Sequence, residues 1–208
     1  MLELLTGSGL AMAAGLNAYI PLLALGLLSR FTDVLTLPAG WGWLESDVAL
    51  VVLAVLLAVE VVADKIPVVD SINDVLQTVV RPASGGLVLA AGSASQTPAV
   101  TDPATLGSWG WVPAVLGVLL ALATHTVKSV ARPAVNVSTA GAGAPVVSTA
   151  EDVSSVGLVV VSLLLPVVVG ALAAVLVALL VLAVRRRVTA RRARPGGRPG
   201  DRPGAPPP

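Results

Sequence analysis

Long apolar runs are the feature that most limits what this chain can fold into. The longest, Val153–Val184, contains 32 residues and would form a helix about 48 Å long, more than the ~30 Å hydrocarbon core of a bilayer. Pro166 lies inside this run and is predicted to kink it or to divide it into two elements. Because 55% of the 208 residues are hydrophobic and only 12% are charged, an ordinary soluble domain is excluded. We predict an all-α, polytopic membrane helix bundle with broken or kinked helices.

The first apolar segment, Leu4–Leu28, is long enough to span a bilayer but is interrupted in its middle. Asn17 and Pro21 stand there as backbone-break candidates, and Pro21 removes one helical hydrogen-bond donor. The simpler prediction is a single Pro-kinked span. The alternative is a discontinuous helix whose freed backbone groups line a polar site.

The middle of the chain alternates apolar and amphipathic segments. Asp47–Ala63 is apolar but slightly short for a span. Pro67–Val80 is amphipathic and is predicted to be a helix that lies at the interface or lines a polar cavity. Gly85–Gly92 is too short to cross alone, so it either completes a crossing with that helix or is re-entrant.

The second half repeats some of this punctuation. Trp111–Val130 is predicted to span, and residues 133–150, which include the backbone-break candidate Pro145, to form a loop with almost no charge. All four Trp residues lie in two identical tripeptides, Trp41-Gly42-Trp43 and Trp109-Gly110-Trp111, and each precedes an apolar helix. Weak internal duplication, with halves at 1–95 and 109–184, and convergent membrane punctuation both stay open.

The positive charge is concentrated at the C-terminus. Residues 185–208 hold eight of the thirteen Lys and Arg residues and one acid, so this tail is +7 and residues 1–184 are −6. A basic segment directly after a span predicts a cytoplasmic C-terminus, and it can also contact anionic lipid headgroups. We predict a membrane domain at 1–184 and a basic, disordered tail at 185–208. The tail has no aromatic residues for base stacking, so nucleic-acid binding is not expected.

Three stretches of the chain resemble one family. They are GLNAYIPLLALGLLSRF from Gly15, the run from Glu60 through Asp64-Lys65-Ile66-Pro67 to Asp70, and the stretch Thr124–Asp152. Together they resemble the bacterial membrane proteins grouped as domain of unknown function 4126. The resemblance covers about residues 5–185. It implies a multi-pass protein of the bacterial inner membrane and no established activity.

Charged side chains recur at helical spacing beside these apolar runs. An ionised group at the centre of a bilayer costs about 2.5–3.5 kcal/mol on insertion scales, so such groups need partners or water. We predict that Glu60 lies in the protein interior near the 125–132 face, and that Glu60 or Asp64 pairs with Lys128 or His125. Lys65 and the other long bases can instead mark helix ends and reach the headgroups. The candidate polar residues are Glu60, Asp64, Lys65, Asp70, Asp74, His125, Lys128, Arg132, Asn136, Glu151 and Asp152.

Broken apolar segments with charged residues at helical spacing favour a small transporter or permease. It would be proton-coupled through Glu60 and would move a small polar or amphiphilic solute. The alternative is a non-catalytic membrane scaffold or assembly factor, and a homo-oligomer stays open. A membrane-embedded enzyme comes third, because Ser148 and Thr149 beside His125 lie in no catalytic motif. With no Cys and one His, we expect no metal site and no cofactor.

Overall fold

The computed structural model describes residues 1–103, 110–140 and 142–192, without the side chains at 67, 68, 70, 71, 136, 187, 188 and 190–192. Within that part the chain is all-α, as predicted, with no strand. Its helices are α1 Leu2–Leu16, α2 Tyr19–Phe31, α3 Asp47–Ala63, α4 Pro67–Ser93, α5 Trp111–Ser138, α6 Ala144–Leu164 and α7 Pro166–Arg192. A 3₁₀ turn at Gly42–Glu45 precedes α3.

Three helices are long and apolar enough to cross a bilayer: Trp111–Val135, Ala144–Leu164 and Pro166–Arg186. Their outward faces carry large exposed apolar side chains, for example Val153 and Leu179. The chain is therefore a membrane protein.

The first apolar segment is broken, so the prediction of a single kinked span is wrong. α1 ends at Leu16 and α2 begins at Tyr19. Asn17 separates them with an extended backbone (φ −142°, ψ 122°), and its side-chain Oδ1 accepts hydrogen bonds from the backbone N–H groups of Tyr19 and Ile20. The Asn17 amide therefore satisfies donors that the start of α2 would otherwise leave unpaired. Pro21 lies in the first turn of α2, where its missing donor costs little.

Two further boundaries follow proline positions. Pro166 divides the long C-terminal run, since α6 ends at Leu164 and α7 begins at Pro166. Pro145 lies in the first turn of α6. The prediction of a loop over 133–150 is wrong for most of its length, because α5 continues to Ser138 and α6 begins at Ala144.

The amphipathic segment and the short Gly85–Gly92 segment form one continuous helix, α4, which has Pro82 inside it. The helix is inverted relative to one in a soluble protein. Gln77 and Arg81 are buried, whereas Val75 and Val79 are exposed by 71% and 73%. A polar face turned inward and an apolar face turned outward are expected where the surrounding solvent is lipid.

Successive helices run antiparallel. Thr78 of α4 contacts His125 of α5, and further along Gly85 faces Gly117. α1 runs against α6, because Ser155 Oγ donates to Ala13 O at 3.0 Å while Gly9 faces Ser162. α1, α3, α5 and α7 thus finish at one end of the bundle, which we call the basic end. α2, α4 and α6 finish at the other, the acidic end.

The closest helix contact joins α4 and α5, and it depends on glycine. A Cβ at Gly117 would lie 2.1 Å from the Gly85 carbonyl oxygen. Gly117→Ala is therefore expected to lower stability by about 1–3 kcal/mol through overpacking. Gly157 of α6 is the matched control, because a Cβ there meets nothing within 4 Å. Gly157→Ala should be neutral or slightly stabilising. Thermal unfolding of both variants in one detergent measures the difference, and equal midpoints would contradict the close α4–α5 contact.

The basic segment begins inside a helix. α7 continues to Arg192, so the prediction of disorder from 185 onward is wrong for residues 185–192. The rest of that tail, 193–208, and Trp109 of the second tripeptide lie outside the described residues.

Candidate functional site

A cluster of buried charged side chains lies toward the basic end, between α3, α4, α5 and α6. We call it the charged centre. Several of its members are almost completely shielded, with exposed fractions of 0% for Arg81, 1% for Glu60 and 2% for Asp64. The members are Glu60, Asp64, Asp74, Arg81, His125, Lys128, Arg132 and Glu151.

Arg81 occupies one side of the charged centre. Its Nη2 donates to Glu60 Oε1 at 2.8 Å and to Asp64 Oδ2 at 3.5 Å. Its Nη1 lies 3.1 Å from His125 Nδ1 and 3.8 Å from Asp74 Oδ1. Because Arg81 stands near the middle of the 27-residue α4, this contact links three helices well inside the bundle.

Lys128 and Arg132, one turn apart on α5, occupy the other side. Lys128 Nζ lies 3.2 Å from Asp64 Oδ2 and 3.1 Å from Glu151 Oε2. Arg132 Nη2 lies 3.3 Å from the same Asp64 oxygen and also binds Glu151. Asp64 Oδ2 therefore faces three cations, and Asn73 donates to its other oxygen at 2.9 Å.

The break between α1 and α2 opens onto the charged centre. Lys128 Nζ donates to the Leu16 carbonyl oxygen at 3.1 Å, so the end of α1 binds a cation directly. Asn17 Nδ2 donates to Asp152 Oδ1 at 2.9 Å, beside Glu151. A discontinuous helix whose terminal backbone contacts charged groups is the arrangement found in many transporter sites.

The formal charges of the charged centre do not balance. Among its described side chains there are four acids and three bases, with His125 taken as neutral. Glu60 Oε2 is buried and has no hydrogen-bond partner among the described residues. An unpaired buried carboxylate oxygen is costly when charged, and a proton on it would remove both the excess charge and part of that cost.

The charged centre can hold and exchange protons more readily than it can hold a metal. Within the described part of the chain, no group of three or more His, Asp or Glu residues is arranged around a metal position. Its carboxylates face Arg and Lys instead. The His125 ring lies within 3.3 Å of Thr78 Oγ1, Ser129 Oγ and Arg81, so polar neighbours surround both ring nitrogens.

The family is decided by extent. The family model described as "Domain of unknown function (DUF4126)" matches residues 4–186. The chain belongs to the DUF4126 family. That match includes every member of the charged centre and all of α1–α6 except the first two residues of α1. Comparison with curated proteins and with solved structures finds no significant match.

Most of the polar residues singled out in this DUF4126 sequence converge in space. The Asp64–Lys128 pair is present, and Glu60 approaches the 125–132 face through Arg81. Lys65 does not join, because its Nζ donates to the Val61 carbonyl oxygen at the end of α3. The Asp70 and Asn136 side chains lie outside the described residues.

Arg81 is the member that sequence reasoning missed, although the sequence contains the signal. It follows Asp74 by seven residues and Gln77 by four, so it continues their stripe on α4. An Arg-Pro pair after an amphipathic run is typical of a helix end, because proline disfavours helix in the residue before it. α4 instead continues through Pro82, which places Arg81 in the interior.

Proposed function

We propose that this protein is a small membrane transporter that couples movement of a small polar or amphiphilic solute to protons at the charged centre. The observation that carries the proposal is the buried, acid-rich cluster at a helix break, with Glu60 Oε2 unpaired among the described residues. A buried carboxyl group that gains and loses a proton is the usual carrier in proton-coupled transport.

In this proposal Glu60 is the proton carrier and Arg81 is the switch beside it. While Glu60 is ionised, Arg81 is held at 2.8 Å. A proton on Glu60 weakens that ion pair and releases Arg81 toward Asp64 or Asp74, which lie at 3.5 and 3.8 Å. The exchange moves charge between α3 and α4, so it gives those helices two alternative arrangements.

The proposed orientation places the C-terminus in the cytoplasm of a bacterial cell, in the inner membrane. Lys65 and Arg185–Arg187 lie at the basic end, where α3 and α7 finish. Glu3, Asp33, Glu45, Asp47 and Asp102 lie at the acidic end, beside Arg30. Positive residues are retained on the cytoplasmic side, so the basic end faces the cytoplasm in this proposal.

A scaffold or assembly factor is the second candidate, and one observation favours it. The charged centre is closed: its ion pairs are tight, and the three described cavities are lined by other residues. A permanent network of this kind can fix the register of four helices without any transport. The two candidates differ in whether the charged centre ever opens to water.

Transport is tested in proteoliposomes on a solid-supported membrane. Amino acids, carboxylates, amines and sugars are applied with a pH step, and the transient current is recorded. We expect at least one solute class to give a proton-coupled current, and Glu60→Gln and Glu60→Leu to remove that coupling while the protein still inserts.

Glu45→Gln is the matched control, because it makes the same chemical change at the acidic end, where Glu45 accepts from Ser29 Oγ. It should retain the current. Equal coupling in wild type and both Glu60 variants would contradict the proton-carrier role.

A further inference from the structure

An apolar groove lies between α5 and α7 on the outside of the bundle. Its walls are formed by Val127, Val130 and Ala131 of α5 and by Leu180, Ala183 and Val184 of α7, and they enclose about 400 Å³. Its lining points away from the charged centre, because Lys128 and Arg132 project from the opposite face of α5. The groove therefore serves something other than the proposed proton step.

One end of the groove is strongly positive. Arg185 and Arg186 are exposed and follow Val184 directly on α7. The sequence has no acid between Asp152 and Asp201, so no carboxylate along α7 offsets these two cations. An apolar channel that ends at adjacent arginines matches a molecule with an apolar chain and an anionic head.

We propose that this groove binds one anionic phospholipid of the basic-end leaflet. One acyl chain lies between Val130 and Ala183, and the phosphate is bound by Arg185 and Arg186. The groove reaches from the arginines toward the middle of the bilayer, as a lipid chain does when its headgroup is at the surface. A second copy of the chain docked here by two-fold symmetry would bring its own Arg185 and Arg186 against the first pair, which like-charge repulsion opposes.

The test measures lipid binding to the purified full-length protein by native mass spectrometry. Phosphatidylglycerol and phosphatidylcholine with identical acyl chains are titrated in the same detergent. We expect one phosphatidylglycerol to bind preferentially. Arg185→Gln with Arg186→Gln should weaken that binding about 30-fold, from a contribution of about 1 kcal/mol per cation at the surface.

Arg198→Gln with Arg202→Gln is the matched control, since it removes the same charge from the same basic tail. It should change binding by less than about twofold if the site is the groove rather than the tail as a whole. Ala183→Phe fills the groove without changing any charge, and it should displace the lipid.

Three outcomes would overturn the proposal. Equal losses in the two double variants would assign binding to the diffuse charge of the tail. Unchanged binding in Ala183→Phe would remove the acyl chain from the groove. A dimer that Ala183→Phe dissociates, with no preference for phosphatidylglycerol, would make the groove an interface between copies.

Discussion

Arg81→Met is expected to destabilise the protein by about 3–5 kcal/mol, several times the loss from breaking an ion pair at the surface. Arg81 is fully buried, and it is the cation nearest Glu60. Methionine keeps an unbranched chain of similar length but leaves Glu60, and in part Asp74, as buried carboxylates without their cation. SDS titration in mixed micelles, followed by tryptophan fluorescence, measures the change.

A second variant separates lost packing from lost charge. When Glu60→Leu accompanies Arg81→Met, both partners are replaced by apolar groups, and the double variant should regain a large part of the stability that Arg81→Met loses. Arg30→Met is the matched control, because Arg30 pairs with the exposed Asp47 at the acidic end. It should cost only about 0–1 kcal/mol. Similar losses at Arg81 and Arg30, or no recovery in the double variant, would contradict a buried, electrostatically coupled centre.

The sequence predicts the class of this fold well and its continuity poorly. Apolar content and run length are enough to indicate a membrane helix bundle, because lipid excludes other spanning structures for such segments. Whether a helix breaks depends on local competition that periodicity does not register. At Asn17 the side chain caps α2, and the chain breaks four residues before Pro21. At Pro82 the surrounding packing keeps α4 helical despite the proline.

The charged centre could be predicted in part for a related reason. Charges inside apolar runs must face one another, so the convergence of Asp64 with Lys128 follows from energy alone. Which base meets which acid depends on helix rotation and crossing, which the sequence does not encode locally. Arg81 is hidden when α4 is divided at its proline, because the base that lies closest to Glu60 then falls at a helix end instead of in the interior.

Gln77 offers the most sensitive position for detecting whether the charged centre opens. It stands one turn before Arg81 on α4 and is 3% exposed, and its Oε1 has no hydrogen-bond partner among the described residues. Substituting it leaves every described ion pair intact. The chain contains no Cys, so Gln77→Cys introduces a single thiol.

A transporter visits a state in which its polar centre meets water, and that state is populated at about 0.1–10% when it lies a few kcal/mol above the closed one. The Gln77→Cys thiol should then react with a charged, water-borne methanethiosulfonate roughly 10- to 1,000-fold more slowly than a thiol that is always exposed, but to completion. Asp33→Cys at the exposed acidic end supplies the fast reference, and Leu10→Cys, at 0% exposure in the apolar core, supplies the protected one.

Labelling of Gln77→Cys in proteoliposomes, measured by mass shift over time, is thus the most direct test of transport through the charged centre. Transport predicts complete labelling at an intermediate rate, faster with an imposed pH gradient than without one. A Gln77→Cys thiol as protected as that of Leu10→Cys, with and without the gradient, would contradict transport by this route and leave the charged centre as a permanent structural network.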